Sequence, residues 1–383
     1  MLPALLTSCF FLAVAYVLRR FKYVRSAWVP LGVGILILLL TLALKVDMEQ
    51  GMQGRHDVTV LLRELGNPAL WDGGGLDNPD AALFLASTAS HALALRWPDA
   101  DSLERTRIDT TLGTLAARVS DRASYPAWRN PRSWDDEAFF LAHTAITLAR
   151  YQAVTGRTHY AEDLQRIGRH LGQRLQRGRY KHFRSRPSEQ FYRPTDNAAV
   201  LYALHLHDQL FGTPYAQANF GDWTDYLRGE LYYEESRLPC AAFNATDRCH
   251  LEPNATTTGL YVIYRALADP SGEPDVIPYR EWLHYFKGSP NSPISLRLRP
   301  NLRKGEPARF CDLGAAPLGC DRHERSVGLW AARLHGGEYA RFRLYAGFAF
   351  NRWFRGEVDY GSLRTGRRIE ALTEVALRGA GGL

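Results

Sequence analysis

Acidic residues are absent from the first 46 positions of this 383-residue sequence, which hold five of its 47 basic residues. Two long apolar runs fill this stretch, residues 2–18 and 27–44, and no charge interrupts either run. Each run is about as long as a helix that crosses the ~30 Å hydrocarbon core of a bilayer. The sequence therefore predicts a two-helix transmembrane anchor over residues 1–46.

The first apolar run lacks the marks of a cleaved signal peptide. Its charges follow the run, no small-residue cleavage site comes after it, and a second apolar run begins at once. The segment between the runs carries Arg19, Arg20, Lys22 and Arg25. Because Lys and Arg are enriched in cytoplasmic loops, we expect this segment in the cytoplasm. Residues 47–383 are then expected in the periplasm, held to the inner membrane by the anchor.

The outer domain has no strong excess of positive or negative charge. Beyond the anchor, 42 basic residues stand against 40 acidic ones, and neither a long basic helix nor an RNA-binding motif is present. We therefore expect no nucleic-acid partner. The locally basic residues 166–186 are typical of a solvated helix face, and the alternative is a rim for an anionic substrate or lipid head groups.

Cysteine is scarce, and its spacing is regular. Apart from Cys9 in the first apolar run, the cysteines form two pairs of equal spacing, Cys240 with Cys249 and Cys311 with Cys320. Two local disulfides are the expected outcome in a domain outside the cytoplasm. Zinc is the alternative, but the spacing is too wide for a CxxC knuckle and only His250 and His323 lie beside the pairs. We therefore predict no metal site.

Strand-like alternation is rare after residue 55, and no fixed repeat is present. Apolar residues recur at spacings of three and four, which predicts helices over residues 80–96, 103–119, 135–155, 160–176, 197–211, 222–230, 257–268, 326–335, 338–354 and 360–378. Without a repeat an α-solenoid is excluded. The pattern favours an all-α domain built as a closed toroid of helix pairs, the (α/α)6 barrel. The two cysteine loops and residues 178–196 are its expected site-building loops.

One histidine stands out in the stretch DDEAFFLAHTAITLARYQAVTG, residues 135–156. His143 lies two helical turns after Asp136, so both share the packed face of the helix. A lone histidine on such a face is usually a core residue, and the alternative is that His143 is half of a site. Ser133 with Asp136 fits a capping pattern, and acids in a first turn favour the helix dipole.

Acidic loops precede three further predicted helices. Asp196 follows Pro194 and is the expected N-cap of its helix. The other acids of these loops are Glu189, Glu252 and Asp321, and Tyr192 lies between the first of them and Asp196. Four acidic loops that each lead into a helix are more than helix capping requires. They predict a polar site at the loop-bearing mouth of the barrel.

Several stretches occur in order between about residues 140 and 340: RYQAVTGRTHYAEDL after His143, DNAAVLYALHLHDQLFGTPYAQA, NATTTGLYVIYRALADP followed by YREWLHYFKG, and RSVGLWAARLHGGEYA. This ordered set resembles the linalool dehydratase-isomerase family, whose fold is an (α/α)6 barrel. The resemblance implies that the family's catalytic histidine corresponds to His143. It also implies that a tyrosine and an asparagine near the family's site correspond to Tyr192 and Asn197.

The sequence departs from that family at its active-site cysteines. One of the two cysteine positions falls near Pro187 or Ser188, and the other falls on Asp196. The family's early aspartate and tyrosine, six residues apart, have no clear match, although Asp57 is near the place. The chemistry of a thiol pair is therefore not available to this chain at those positions.

Dehydration of a tertiary allylic alcohol needs an acid that protonates the leaving hydroxyl and a base that takes a proton. The resemblance implies a membrane-anchored lyase or isomerase of this kind, without a cofactor. His143 is the expected base and Asp196 the expected acid, with Tyr192, Glu189, Glu252 and Asp321 as further catalytic candidates. Asp136 and Asn197 are the expected substrate-binding residues.

Two other functions fit the same residues. Paired carboxylates beside an open loop also suit a hydrolase or lyase of envelope polysaccharide, with Asp196, Glu252 or Asp321 as the acid pair. The missing cysteines favour a non-enzymatic scaffold in a membrane complex. The expected substrate is accordingly a small molecule or a glycan, and the sequence leaves oligomer formation open.

Overall fold

The computed structural model describes residues 2–67, 69–72, 78–177, 182–246, 248–287, 296, 298, 322–355, 360, 363 and 365–383. In this part of the chain almost all regular structure is helical, as the apolar spacing predicts. The helices up to the middle of the chain are α1 (Leu2–Arg20), α2 (Val24–Glu49), α3 (Met52–Leu65), α4 (Ala69–Asp72), α5 (Pro79–Arg96), α6 (Ser102–Val119), α7 (Ala138–Thr155) and α8 (Ala161–Arg177). The later helices are α9 (Pro194–Phe211), α10 (Tyr215–Glu230), α11 (Ala255–Ala268), α12 (Ile277–Phe286), α13 (Arg322–Leu334), α14 (Glu338–Arg355) and α15 (Thr365–Gly382).

The ten helices predicted from apolar spacing correspond to α5–α11 and α13–α15. Three helices of the outer domain were missed: α3, the four-residue α4, and α12. The buried face of α3 carries the polar residues Gln53, Asp57 and Glu64, so its apolar spacing is interrupted. Helix α12 has only ten residues, which is too short for a helical period to stand out.

The predicted capping of α7 by Ser133 and Asp136 is wrong. The helix begins at Ala138, and the acids before it lie in a 3-10 turn and at the N-cap position. The N–H groups of its first two residues donate to the carbonyl oxygens of Arg184 and Ser185, at 3.0 and 3.2 Å. Carbonyl oxygens of a neighbouring loop thus accept the hydrogen bonds that a capping side chain would otherwise accept from the first N–H groups of the helix.

The predicted N-cap of α9 is also wrong. The helix begins at Pro194, whose fixed φ and missing N–H suit the first helical position, and Arg193 occupies the N-cap position. Asp196 is the third residue inside the helix and is therefore not its N-cap. Its carboxyl group is therefore available for another role.

Six helices, here called the ring helices, contact one another in a closed order. Helix α5 packs on α7, α7 on α9, α9 on α11, α11 on α13, α13 on α15, and α15 returns to α5. Each remaining long helix of the outer domain packs on one or two ring helices: α3 on α15, α6 on α5 and α7, α8 on α7 and α9, α10 on α9, α12 on α11 and α14 on α13.

Closure of the ring joins the two ends of the outer domain. Asp57 of α3 is fully buried and accepts from Arg378 of α15, with Nη2 to Oδ1 at 2.6 Å and Nε to Oδ2 at 2.9 Å. The amide of Gln53 donates to both oxygens of the same carboxylate at 3.1 Å. A second pair joins Arg368 of α15 to Glu64 of α3 at 2.7 Å. These bonds fix the last helix against the first helix of the domain.

Glycine allows the backbones of α3 and α15 to touch. A Cβ added to Gly54 would lie 2.5 Å from the backbone nitrogen of Leu383, and one added to Gly381 would lie 2.7 Å from that of Trp330. The atoms in conflict belong to the backbone, so a side-chain rotation cannot relieve the clash. The glycine-rich end of α15 is thus required for its position in the ring.

Helices α1 and α2 form a hairpin whose surface is apolar and exposed. The hydroxyl group of Ser8 donates to the carbonyl oxygen of Gly34 at 2.7 Å across the hairpin. Exposed large apolar side chains on the two helices are Leu6, Phe10, Tyr16, Val17, Trp28, Val29, Ile35, Leu36, Leu39, Leu42 and Val46. A soluble protein rarely exposes so continuous an apolar surface.

In the part of the chain that the structure describes, one helix, Arg25–Glu49, is long and apolar enough to cross a membrane. Length and composition alone would also fit a signal sequence or a core helix, but α2 is mostly unburied. A membrane anchor is therefore supported for α2. The predicted second span, in α1, stays a prediction.

The outer domain is joined to α2 by side chains as well as by the chain. The hydroxyl group of Tyr345, in α14, donates to the Asp47 carboxylate and accepts from the backbone N–H of Gln53 at 3.1 Å. Arg352 of α14 donates to Asp47 and, at 3.2 Å, to the side-chain oxygen of Gln53. Gly51 supplies a left-handed turn, with φ of 62°, between α2 and α3. Anchor and domain thus meet without a linker.

Two short antiparallel strand pairs lie between α10 and α11. Strand β1 (Tyr232–Tyr233) pairs with β2 (Leu238–Pro239), and β3 (Ala242–Phe243) pairs with β4 (Cys249–Leu251). The predicted disulfide between Cys240 and Cys249 is present, with the two Cα atoms 5.7 Å apart. The other predicted pair, Cys311 and Cys320, lies outside the described residues.

Truncation of Asp57 to alanine is expected to lower the free energy of unfolding by about 3–5 kcal/mol, because it leaves the Arg378 guanidinium buried without its partner. The measurement is chemical unfolding of the detergent-solubilised protein, followed by circular dichroism. The matched control is Asp109→Ala, which breaks the exposed Arg157–Asp109 pair at 2.7 Å and is expected to cost about 0–1 kcal/mol. Equal unfolding midpoints for the two variants would contradict a role of Asp57 in closing the ring.

Candidate functional site

His143 lies on the ring helix α7 and is buried, but its imidazole is bonded on one side only. Its Nδ1 lies 2.7 Å from the hydroxyl oxygen of Ser87 on α5. That hydroxyl donates its single proton to the carbonyl oxygen of Phe84 at 3.0 Å. Nδ1 therefore donates to Ser87, which leaves the lone pair on Nε2. Among the described residues nothing forms a hydrogen bond with Nε2, so His143 is not a core histidine with both nitrogens satisfied.

Burial keeps the His143 imidazole neutral. Removal from water lowers the pKa of His143 to about 3, and the positive charge of Arg186 lowers it further in the same direction. Aromatic rings surround it, with centroids 4.5 Å away for Phe139, 5.2 Å for Phe84 and 6.0 Å for Tyr264. A neutral imidazole with a free Nε2 lone pair is able to accept a proton.

Asp196 presents a buried carboxyl group close to the same residues. Burial raises the pKa of Asp196, and the nearby charge of Arg186 opposes that shift. In the described part of the chain, its Oδ2 atom has no hydrogen-bond partner. Its charge in turn acts on the hydroxyl group of Tyr264. Burial therefore makes Asp196 hold its proton more tightly than an exposed aspartic acid does, which suits a proton donor.

Tyr264 is near His143, with ring centroids 6.0 Å apart, and is close enough to Asp196 to be affected by its charge. Sequence reasoning missed it. Its ring also lies 6.1 Å from that of Tyr202 and 6.4 Å from that of Trp330. Its hydroxyl group is buried, and no described residue bonds to it. Burial raises the pKa of Tyr264 well above its usual range, so the phenol stays protonated. In the sequence Tyr264 belongs to an apolar run, LYVIYRALA, and nothing there separates it from core tyrosines such as Tyr261.

Arg186 is the second residue that the sequence pattern did not single out. It forms ion pairs with Asp80 and, at 3.2 Å, with Glu189. Its guanidinium carbon lies 4.2 Å from the centroid of the Phe139 ring. Its charge acts on both His143 and Asp196. Arg186 thus sets the electrostatic potential at the site, and only its presence in a basic segment was visible in the sequence.

Glu137 is a further acid whose environment was not foreseen. Burial raises the pKa of Glu137 to about 7, and the carboxylates of Asp80 and Asp136 raise it further against the opposing effect of Arg186. The first turn of α7 contains no acid, so the predicted dipole contact is not made there. Glu137 instead belongs to the group of acids around Arg186.

Three predicted site residues hold the loop before α9 in place. Tyr192 forms an isolated bridge with Phe243, with N–H to oxygen distances of 2.9 and 3.0 Å, and its ring stacks on that of Phe243. Asn197 accepts from the backbone N–H of Phe183 at 2.7 Å and donates to the carbonyl oxygen of Phe183 at 3.0 Å. Glu189 is tied to Arg186 and Arg193. Their contacts are those of positioning residues.

The remaining predicted residues are not brought to His143. Asp136 pairs with Arg184 at 3.4 Å and is about half exposed. Glu252 is exposed in the connection between β4 and α11. Asp321 lies outside the described residues. Asp57, near the place of the family's early aspartate, is bonded to Arg378 and lies in the contact of α3 with α15.

The loop that carries Arg186 and Glu189 is braced by the disulfide. Cys249 pairs with Phe243 in the β3–β4 hairpin, and Phe243 forms the bridge to Tyr192. The ring of His182 packs against both Tyr192 and Phe243, at 4.2 and 5.1 Å. The cross-link thus supports the site through one hairpin and one aromatic cluster.

Within the described ranges, no three His, Cys, Asp or Glu side chains are grouped so that they could hold a metal ion.

Comparison of the sequence with protein-family models and with curated proteins gives no match.

Exchange of Glu137 for glutamine is expected to remove a pH dependence of stability. Because the folded state raises the pKa of Glu137 from 4.5 to about 7, it binds more protons than the unfolded chain in that window. Glu137 therefore destabilises the fold progressively as the pH rises from 4.5 to 7. Glu137→Gln should melt like the wild type near pH 4.5 and at a higher temperature at pH 8, in thermal scans across this range. Glu273→Gln, in an exposed loop, is the control, and a difference between Glu137→Gln and wild type that stays constant with pH would contradict the assignment.

The disulfide predicts a specific product of tryptic digestion. If the protein is isolated from cells with free thiols blocked, peptides 238–248 and 249–265 should appear as one linked species that reduction separates. Such a linkage is expected only where the outer domain matures in an oxidising compartment. Recovery of both peptides with blocked cysteines would show that the domain faces a reducing compartment.

Proposed function

We propose that this protein is a membrane-anchored, extracytoplasmic lyase or isomerase that performs acid–base chemistry of the dehydratase type on an alcohol. One observation carries the proposal: a buried imidazole, bonded through Nδ1 to Ser87, and a buried carboxyl group with a raised pKa both act on or contact Tyr264. An acid and a base are the two groups that elimination of water requires.

We also propose that the ring helices form the inner layer of an (α/α)6 barrel, with the six helices packed on them as the outer layer. The closed contact order supports this architecture. The resemblance to the linalool dehydratase-isomerase family, which motivates the choice of reaction, depends on the ordered sequence stretches alone. The proposed site lies among α5, α7, α9 and α11.

In the proposed reaction Asp196 protonates the substrate hydroxyl group, the carbon–oxygen bond breaks, and water leaves. His143 Nε2 takes a proton from the neighbouring carbon, whose C–H electron pair becomes the double bond. Asp196 ends as a carboxylate and His143 as an imidazolium, and proton return from His143 to Asp196 restores both. The charge of Arg186 stabilises the carboxylate that forms on Asp196.

The surroundings of His143 favour a partly apolar substrate. The rings of Phe84, Phe139 and Tyr264 all lie within about 6 Å of the imidazole. Such walls suit a hydrocarbon chain and exclude water from a carbocation-like transition state. The Ser87 hydroxyl acts as a positioning group, because it fixes the tautomer that leaves Nε2 free.

A glycan substrate has less support among the described acids. Cleavage of a glycosidic bond uses two carboxyl groups about 5–9.5 Å apart across the bond. Glu189 is held by two arginines, Glu252 is exposed on a hairpin connection, and Asp136 is paired with Arg184. Asp196 thus lacks an available carboxylate partner among these three predicted acids. A non-enzymatic scaffold would show neither activity in the assays that follow.

His143→Gln and Asp196→Asn are each expected to lower turnover by about 10²–10⁴-fold, because each removes one proton-transfer group. The assay incubates the detergent-purified protein with a panel of small tertiary allylic alcohols and quantifies the alkene product by gas chromatography with mass detection. His159→Gln and Asp109→Asn, at positions away from the site, should retain wild-type turnover. Unchanged turnover in both site variants would contradict the assigned roles. No turnover of any alcohol, with sugar released from cell-envelope material, would favour the polysaccharide enzyme, and the absence of both activities would favour the scaffold.

A further inference from the structure

A second polar cluster lies deeper among the ring helices than His143. It consists of His91 on α5, Arg150 on α7 and Tyr202 on α9. His91 Nδ1 lies 2.7 Å from the Tyr202 hydroxyl oxygen and 3.2 Å from Arg150 Nη2, and Arg150 also donates to the Tyr202 oxygen. Each member lies one to two turns further along its helix than Ser87, His143 or Asp196. The cluster is therefore separate from the acid–base pair.

Arg150 fixes the tautomer of His91. A guanidinium group only donates hydrogen bonds. A proton on Nδ1 would therefore place two N–H donors opposite each other, with no acceptor between them. Nδ1 therefore holds the lone pair and accepts from Tyr202, and the ring proton is on Nε2. Burial, with the charges of Arg150 and Arg333, lowers the pKa of His91 well below its usual range, so no second proton is bound. His91 thus presents one N–H donor at Nε2.

That donor lacks an acceptor, and so does the indole N–H beside it. His91 is 2% exposed and Trp330 is 1% exposed, and their ring centroids lie 4.8 Å apart. Neither His91 Nε2 nor Trp330 Nε1 has a hydrogen-bond partner in the described ranges. A buried donor without a partner costs about 1–3 kcal/mol. Two such donors on neighbouring rings indicate a place where a ligand supplies acceptor oxygens.

The charge around these donors is positive. Arg150 and Arg333 both act on His91, because the charge of each lowers its pKa. Arg150 donates to the Tyr202 oxygen, and Arg333 donates to the carbonyl oxygen of Ala380 at 2.8 Å, so these acceptors are neutral. Buried or half-buried cations ordinarily have an anionic partner. An anion beside the two N–H donors would supply that negative charge.

We propose that His91, Trp330 and Arg150, with Arg333 nearby, form a subsite for an oxyanion, a carboxylate or a phosphate group. One oxyanion would accept from the two N–H donors and supply the missing negative charge. Tyr264 lies between this subsite and His143, with ring centroids 6.4 Å from Trp330 and 6.0 Å from His143. This inference rests on the proposed function. It states that the alcohol substrate carries an anionic group at the end remote from its hydroxyl group.

The test uses the full chain in detergent, with inorganic phosphate and isovalerate as two separate probes. Indole N–H signals of ¹⁵N-labelled protein are followed by NMR, and the Trp330 signal is assigned by its loss in Trp330→Phe. We expect this signal to move downfield on addition of an anion, because the N–H gains an acceptor. The probe that binds more tightly identifies phosphate or carboxylate as the preferred group.

The dissociation constant, measured by titration calorimetry, should rise about tenfold in Trp330→Phe and by at least about tenfold in Arg150→Gln. The matched control is Trp128→Phe, because the Trp128 indole already donates to the carbonyl oxygen of Val119 at 2.8 Å. It should bind like the wild type. Arg150→Lys keeps the positive charge and therefore separates loss of charge from loss of folding. It should bind the anion more tightly than Arg150→Gln.

Failure of this proposal and failure of the proposed reaction are distinguishable. Anion binding should persist in His143→Gln and Asp196→Asn, whether or not any alcohol is turned over. An unmoved Trp330 signal with both probes, or equal affinities in wild type, Trp330→Phe and Arg150→Gln, would overturn the subsite. Water molecules would then be the acceptors of the two donors.

Discussion

The contact between the first and last helices of the outer domain is the constraint on which the rest of the structure depends. Helix α15 fills the place between α13 and α5, and the ring is not closed until it does. The Asp57–Arg378 and Glu64–Arg368 pairs join segments about 300 residues apart in the chain. Contacts between segments so far apart in the chain carry an entropic cost of loop closure, which the bonds and packing of the folded ring offset. The interior of the ring, with its buried polar groups, depends on this contact.

Burial among the ring helices is also what gives the site its chemistry. The same removal from water lowers the pKa of His143 and raises that of Asp196, so both shifts favour the neutral forms. The charge of Arg186 reinforces the shift of His143 and opposes the shift of Asp196. One buried environment and one cation thus act on both residues of the proposed acid–base pair.

The helices could be predicted from the sequence because their apolar residues recur with the helical period, and ten of them were found, although the start of α10 was predicted seven residues too late. The exceptions have physical reasons. Helix α3 buries Gln53, Asp57 and Glu64 in ion pairs and hydrogen bonds that no apolar pattern records. The starts of α7 and α9 differ from the prediction because loop carbonyl oxygens and a proline replace the side-chain caps.

Within the candidate site, His143 and Asp196 could be selected from the sequence, while Tyr264 and Arg186 could not. His143 was the lone histidine of an apolar helix, and Asp196 stood at a helix start, so both were unusual where they occurred. Tyr264 is distinguished from core tyrosines by its neighbours on α7 and α9, and the fold alone reveals those neighbours. Conversely, the side-chain amide of Asn197 is bonded to the backbone of the neighbouring loop, and Tyr192 is held through its own backbone by the bridge to Phe243.

The joint between α2 and α14 has a consequence for how the domain is held relative to α2. Only Gln50 and Gly51 separate α2 from α3, and Asp47 is held by Tyr345 and Arg352 beside that turn. The domain consequently has no flexible linker through which it could move relative to α2. If α2 spans a membrane, the orientation of the domain relative to the lipid surface follows from the direction of α2. A substitution at this joint would then change the orientation of the whole domain without altering any residue among the ring helices.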